Sequence, residues 1–423
     1  MLRELLLFLQ WKLMHSSDMV HSMPEGPLQQ CISFDPAEDF AAFLKKAPAK
    51  WAVYLFADAE DRPVQLLCVK NLRYSLERRL GVNEEQQTPS KRVNYRELIR
   101  KVYWRRVDSA FEADLVYLEA ARQLFPQNYQ TMVGFRPAWF VHVNPETDFP
   151  RYMKTTDLTL RTGTYLGPLE EKQIASKLIE QVEDWFDLCR YYHILVESPL
   201  GRACAYKEMG KCPAPCDGSI SLANYRQMIQ WSLQTLIDPA EMLRAQQKRM
   251  IEASSELRFE IAGKIKAFID QLLQLGKGQY RHLHRLEEFQ YVSLQRGPKE
   301  GLAKVFLVSP TDVFEIAGLI SEPLRPSEIL RFALEMVPPL RQIDPDAAER
   351  IGVVSHHLFS PKASQGVFLH LATIDEKAIV KAYKDLLKQK PVDEPVGEGV
   401  MKELQSGLGV PQVIQRRNDA DSH

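Results

Sequence analysis

Four of the six cysteines in this 423-residue chain, Cys189, Cys204, Cys212 and Cys216, lie within 28 residues. Six cysteines over such a length are too few for a disulfide scaffold, so the clustering is the constraint: four thiols in one loop suit a soft metal or an iron–sulfur cluster. In the frame Cys212-Pro213-Ala214-Pro215-Cys216 the two prolines stiffen the backbone, which presets two ligands at small entropic cost. Zinc usually takes two-residue spacers, so an iron–sulfur cluster of the [4Fe–4S] type is expected on the four thiols, with zinc as the alternative. The plain reading is four unrelated buried thiols in a Pro-rich loop.

Around this segment the chain reads as ordinary globular protein, with 45% hydrophobic and 26% charged residues. Lys+Arg 54 against Asp+Glu 55 leaves a formal charge of -1, so any attraction to nucleic acid must be local. The apolar run Leu5 to Leu9 is far short of the roughly 18 residues that a spanning helix needs, so no membrane partner and a cytoplasmic location are expected. Trp51–Phe56 and Val64–Val69 flank a turn cluster and predict a β-hairpin, followed by a helix over Leu72–Leu80. Helical spacing is read over Tyr95–Arg106 and Ala113–Leu124, and strands over Phe135–Val143 and Leu158–Tyr165. Glu170–Leu188 reads as a helix, and Ser221–Leu275 as nearly continuous helix broken at Asp238-Pro239. Beyond Tyr280 come strands at Phe289–Leu294 and Lys304–Val308, a helix opened by Pro326, and strands near Gly352–Phe359 and Val367–Leu371.

The expected class is therefore α+β, with an N-terminal extension over 1–34, a small α+β domain over 35–135 and a cysteine connector over 136–220. A helical hairpin over 221–276, a second α+β module over 277–390 and a flexible tail over 391–423 complete it.

The pattern Cys-x7-Cys-Pro-Ala-Pro-Cys-x-Gly resembles the iron–sulfur segment of the UvrC family, the incision subunits of bacterial nucleotide excision repair. Upstream, Asp148-Phe149-Pro150-Arg151 and Gly163-Thr164-Tyr165-Leu166-Gly167-Pro168 resemble that family's connector. Downstream, Ala245–Ile269, with Met250, Ala253, Leu257-Arg258-Phe259-Glu260 and Ala262, resembles the UVR motif through which the family binds the helicase subunit UvrB. The resemblance covers about residues 40–275 and implies a GIY-YIG nuclease domain over 35–135. It also implies DNA and a UvrB-type helicase subunit as partners, the latter held by an apolar face of Leu257, Phe259 and Ile265. Lys266-Ala267 and Gly263 depart from the motif.

In a GIY-YIG nuclease a tyrosine activates water, an arginine steadies phosphate charge and a glutamate holds one divalent metal. These groups align the nucleophile and neutralise the developing oxyanion. Tyr54 and Arg79 match the tyrosine and the arginine. The second motif tyrosine is missing from Val69-Lys70-Asn71, the family lysine falls on Leu72, the metal glutamate on Tyr117 and the asparagine on Tyr129. Mg2+ or Mn2+ is expected only if the nuclease is active, with Asp114 or Glu119 as a relocated carboxylate. Lys91, Arg92, Arg96, Arg100, Lys101, Arg105 and Arg106, interleaved with Tyr95, Tyr103 and Trp104, form the candidate DNA-binding stretch. The family's RNase H-like second nuclease and helix-hairpin-helix pair are not found in 277–390; His356-His357 is read there as part of a strand, and its aspartates as helix caps.

The expectation is a nucleotide-excision-repair protein that binds DNA and a UvrB-type partner with its incision weakened or lost. The alternatives are an active endonuclease making a single metal-dependent incision and a cluster-stapled scaffold without a DNA role.

Overall fold

The computed structural model describes residues 26–81, 94–134, 137–159, 162–299, 301–320, 325–336, 343–359 and 366–388. The N-terminal extension up to Glu25, the flexible tail and the pair Lys91 and Arg92 lie outside the described residues. The fold is α+β. It divides into two units: the first runs to Arg106 and takes in Glu119–Gln127, and the second holds Val107–Leu118 and the chain from Asn128 on.

The first unit is a four-stranded antiparallel sheet with helices. Its elements are β1 (Gln30–Ser33), α1 (Phe40–Lys46), β2 (Ala52–Ala57), β3 (Pro63–Val69), α2 (Leu72–Leu80), α3 (Tyr95–Leu98) and β4 (Lys101–Arg106). The strand order is β1-β4-β2-β3, which puts the apolar β2 inside, buried along its whole length. Asn71 caps α2 by accepting from the Tyr74 N–H, and Leu72, Leu76 and Leu80 at fourfold spacing bury its inner face with Phe43 and Phe56.

The helix expected over Tyr95–Arg106 is only one turn, and Lys101–Arg106 is a strand. The strand's period of two is the reason: Val102 and Trp104 are buried while Lys101, Tyr103 and Arg105 alternate with them, and β4 pairs with β2 and β1. The strand β1 lies upstream of the expected start at residue 35, too short and too polar to announce itself.

In the second unit, α4 (Ala110–Leu124) contributes its residues through Leu118. A sheet of order β6-β5-β7-β8 is built from β5 (Trp139–Val143), β6 (Met153–Thr155), β7 (Thr164–Leu169) and β8 (His284–Arg285). The expected strand over Leu158–Tyr165 is displaced. Gly163, at φ +97 and crowded by His142 and Val143, turns the chain first, and the strand begins at Thr164. The strand read from Phe135 begins at Trp139.

Helices α6 (Lys172–Trp185), α9 (Leu222–Ile237), α10 (Ala240–Ser255) and α11 (Phe259–Leu272) follow the sequence pattern closely, whereas the single turns α5 (Tyr129–Met132), α7 (Tyr192–Leu195) and α8 (Ala205–Glu208) are too short to show in it. Asp238 accepts from the Ala240 N–H at the predicted break between α9 and α10.

A second antiparallel sheet, of order β11-β10-β9-β12, is formed by β9 (Tyr291–Arg296), β10 (Ala303–Val308), β11 (Val313–Ile320) and β12 (Gly366–His370). It is accompanied by α12 (Pro326–Met336), α13 (Pro345–Phe359) and α14 (Glu376–Leu387). The strand expected near Gly352–Phe359 is the end of α13, whose Ala347, Ile351, Val354 and Leu358 are buried at helical spacing below an Asp344 cap. His356 and His357 are therefore helical residues. Among the described residues no helix is long and apolar enough to cross a membrane.

Candidate functional site

The cysteine segment is held between α6 and α9. Cys189 follows α6, and its N–H donates to the buried Tyr225 hydroxyl of α9 at 3.2 Å. Cys189, Cys212 and Cys216 are buried, and Cys204 is half-buried where the chain enters α8. The loop carrying Cys212 and Cys216 is fixed by its backbone. Ala214 sits in the left-handed region at φ +52 between the two prolines, Ser198 donates to the Pro215 carbonyl at 2.6 Å, and the Gly201 N–H donates to the Cys216 carbonyl at 2.9 Å. Gly201 is obligatory, because a Cβ there would lie 2.7 Å from Glu197 Cβ and 3.0 Å from the Cys216 carbonyl oxygen.

All four thiols are free. Cys189 Sγ donates to the Tyr191 carbonyl at 3.6 Å; the neighbouring Cys212 thiol and burial raise the Cys189 thiol pKa, and the same neighbour draws Cys212 below its ordinary range. Burial raises Cys216, and the charge of Asp217 and, less, of Cys212 adds to that. Three of the four sulfurs thus feel one another. Among the described residues no set of three or more His, Cys, Asp or Glu side chains is drawn in tightly enough to hold an ion. The donor chemistry, sulfur in a buried loop of stiff backbone, fits a soft metal or an iron–sulfur cluster.

Next to it stands the hairpin of α10 and α11. Leu257 makes the turn at φ +60, and Trp185 of α6 donates its indole N–H to Gln271 of α11 at 2.7 Å. Ala253, Ile269 and Leu272 are buried. At the turn Leu257 and Phe259 are 75% and 64% exposed, beside exposed Ile251 and Ile261, while Ile265 is half-buried.

Residues 138–235, which span the β5–β7 sheet, α6, the cysteines and most of α9, match the family model of the UvrC/Cho excinuclease middle domain. The chain carries a UvrC-type middle domain. It is 26% identical over 280 residues to the UvrABC system protein C of Syntrophomonas wolfei subsp. wolfei, covering 63% of this chain and 43% of that one. To the protein of the same name from Caldanaerobacter subterraneus subsp. tengcongensis it is 24% identical over 273 residues, or 64% and 44%. To that of Clostridium perfringens it is 24% identical over 294 residues, or 68% and 47%. The chain thus spans less than half the length of these curated relatives. No solved structure matches it.

The two residues that match the nuclease motif of UvrC proteins, Tyr54 and Arg79, lie in the first unit, Tyr54 deep inside it and Arg79 half-buried. Tyr54 of β2 is fully buried, with its hydroxyl 2.8 Å from Ser75 Oγ of α2. Burial pushes its phenol up to about 12, and the nearby Arg79 offsets only part of that. Arg79 donates to Gln65 at 3.2 Å and lies over the Tyr95 ring. The groups acting most on the phenol are Arg79, Ser75, Tyr95 and Cys68, none of them a carboxylate. Tyr117, at the position of the metal glutamate, is buried in α4. Asp114, one candidate for a relocated carboxylate, is bonded at 2.7 Å to His357 Nε2. Glu119, the other, is exposed.

Much of the basic stretch is tied into the fold. Arg96 donates to the Leu80 and Pro36 carbonyls and stacks over Phe34 and Phe40, and Arg100 donates to the Ile99 carbonyl. Lys101 and Tyr103 both bond to Asp61. Arg105 is half-buried and Arg106 exposed. Tyr225 and Gly201, which position the cysteine loop, went unnoticed in the sequence, since a lone tyrosine in an amphipathic helix and a loop glycine carry no distinguishing pattern.

Proposed function

We propose that this chain is a nucleotide-excision-repair protein that binds DNA and a UvrB-type helicase subunit in the cytoplasm and has lost most or all of its incision activity. The observation that carries this is the burial of Tyr54. A phenol that activates water must meet solvent and shed its proton, whereas this one is sealed against Ser75 with its pKa raised and no carboxylate among its main neighbours. Binding functions are supported by the opposite observation at the hairpin. Leu257 and Phe259 are large apolar side chains left in water, the form an apolar docking face takes before its partner arrives. In this reading Arg105 and Arg106, with Lys91 and Arg92, hold phosphates.

Cys189, Cys204, Cys212 and Cys216 would hold an iron–sulfur cluster, with zinc as the alternative; it would supply a covalent staple joining α6 to the loop before α9. The chain's own part is to bring buried sulfurs together and to keep their loop rigid through Gly201, Ser198 and Tyr225.

The test is threefold. Anaerobically purified protein is expected to contain iron and sulfide, lost on Cys212→Ser; stoichiometric zinc would select the alternative, and metal-free protein would remove the cofactor from the reading. Capture by a UvrB-type helicase subunit is expected and should be abolished by Phe259→Asp. A lesion-bearing duplex with Mg2+ or Mn2+ should remain unnicked, and nicking that vanishes in Tyr54→Phe would establish the active-endonuclease alternative instead.

A further inference from the structure

The module over 277–388 carries a strongly charged face with no part in the reading above. Helix α14 turns Ile379, Ala382, Tyr383 and Leu386 inward, and Asp375 caps it through the Ala378 N–H. Its outer face presents Lys377, Lys381, Lys384 and then Lys388, spaced four, three and four residues apart and all exposed. The spacing places them in one stripe about 16 Å long, at 1.5 Å of rise per residue. They line a shallow groove of about 470 Å3 whose floor includes Pro326 of α12 and Val380.

Three physical costs are built into this stripe. Lys377/Lys381 and Lys384/Lys388 are like charges at i,i+4, and Lys381/Lys384 are like charges at i,i+3; such pairs weaken a helix where opposite charges would strengthen it. Lys377 also stands in the first turn, where the helix dipole disfavours a cation. Among the described residues two acids share the groove with these cations: Asp385, paired with Lys388 at 2.8 Å and also attracted to Lys381, and Glu376. The four lysines thus outnumber the acids at the groove two to one. A linear array of cations is relieved by a linear array of anions, and the phosphates of a nucleic-acid duplex supply one negative charge per about 1.7 Å of axis.

We propose that the α14 stripe of Lys377, Lys381, Lys384 and Lys388 is a second DNA-backbone contact of this protein, on the module that the sequence left unassigned. It rests on the DNA-binding reading above and deepens it by naming where the duplex lies. Lysine ammoniums in such a row meet phosphate oxygens and no base edges, so the contact is independent of sequence and sensitive to salt.

The full-length protein is titrated into a fluorescein-labelled duplex at several salt concentrations, alongside a variant with all four lysines changed to Gln and another with all four changed to Arg. Four phosphate contacts contribute about 3.6 to the slope of log K against log salt, from roughly 0.9 per contact. The Gln variant is expected to bind more weakly with a slope shallower by about 3, and the Arg variant to retain both affinity and slope. The lysines are exposed, so a circular-dichroism melting curve of the Gln variant no lower than that of wild type separates lost contact from lost fold; were that variant to misfold, doubly substituted chains carrying Lys377→Gln with Lys381→Gln, or Lys384→Gln with Lys388→Gln, should each have a slope shallower by about 1.8, from roughly 0.9 per contact. Unchanged slope and affinity in a folded Gln variant overturn this inference while the DNA-binding reading stands. Wild-type protein that fails to retain duplex at low salt overturns both. Equal competition by poly-glutamate and by duplex at matched charge overturns the assignment to a phosphate backbone.

Discussion

Lys304 of β10 is the most consequential single charge in the second unit. Its ammonium lies 2.9 Å from Asp108, 2.9 Å from Glu112 and 3.6 Å from Glu315, and Lys304, Asp108 and Glu112 are nearly sealed from water. Burial works against the Lys304 charge, but Glu112 and Asp108 outweigh it and hold its pKa above the ordinary lysine value. One cation serves more than one acid, and so burial still pushes Glu112 upward, with Lys304 pulling back only in part. Lys304→Met keeps the apolar stem and deletes the cation. At an effective dielectric of about 20, one such contact is about 6 kcal/mol of attraction, partly cancelled by desolvation. Leaving the carboxylates buried without it costs about 3–5 kcal/mol.

Hydrogen exchange with mass-spectrometric readout of peptides covering Ala303–Val308 measures this locally, which suits a chain of two units. Protection, corrected for intrinsic exchange, is expected to fall at least about a hundredfold at pH 8, since about 3 kcal/mol is a little over two decades. A carboxylate whose folded pKa is raised loses stability as pH rises through that pKa, so the deficit of Lys304→Met should shrink as the pH is lowered and Glu112 takes up a proton. Adding Glu112→Gln should recover part of the loss. Protection within about threefold of wild type, or a deficit that grows toward low pH, would refute the account of Lys304 as a counter-charge.

Other outcomes follow from single sites. Gly263 lies exposed in the middle of α11 with open space around the position of a Cβ, so Gly263→Ala should stabilise the hairpin by about 1 kcal/mol, read as slower exchange of α11 peptides. Tyr54→Phe should cost about 1 kcal/mol by leaving Ser75 Oγ unpaired, seen as a lower denaturation midpoint of the first unit. Burial depresses His282 and His284 to about 4, and His284 stacks on His370 with centroids 4.1 Å apart. Histidines held neutral contribute stability that is complete above about 6.5 and lost as pH falls toward 4, so exchange of peptides spanning 282–296 should accelerate through that window. Replacing both by Gln should flatten the dependence.

The elements legible in the sequence are those whose pattern is dictated by local burial. The break at Asp238-Pro239 and the frame of α2 were readable because capping and spacing act within a few residues. The errors fall where a neighbour decides. Lys101–Arg106 carries spacing compatible with either period, and only its seat between β1 and β2 makes it a strand. Gly352–Phe359 contains two adjacent valines that suggest a strand, yet Ile351, Val354 and Leu358 complete a helical stripe begun at Ala347. Asp114 looked available as a relocated ligand because its partner, His357, is 243 residues away in sequence. At the cysteines the donor types were plain from the sequence, while the Cys189–Cys212 contact and the bracing by Tyr225 depend on how α6 meets α9.

Burial also separates the two kinds of residue that match UvrC proteins. Tyr54 fills the core between β2 and α2 and satisfies Ser75, and Arg79 lies over Tyr95 and donates to Gln65; a chain that never cuts DNA would keep both for stability alone. Their presence is therefore weak support for chemistry. Leu257 and Phe259 have no such excuse, because exposed side chains of that size add nothing to the folded state that a polar residue would not, and they favour association in water. A residue retained against its own solvation needs a reason outside the chain, which is why the hairpin turn carries the binding half of the functional argument, as the burial of Tyr54 carries the loss of incision.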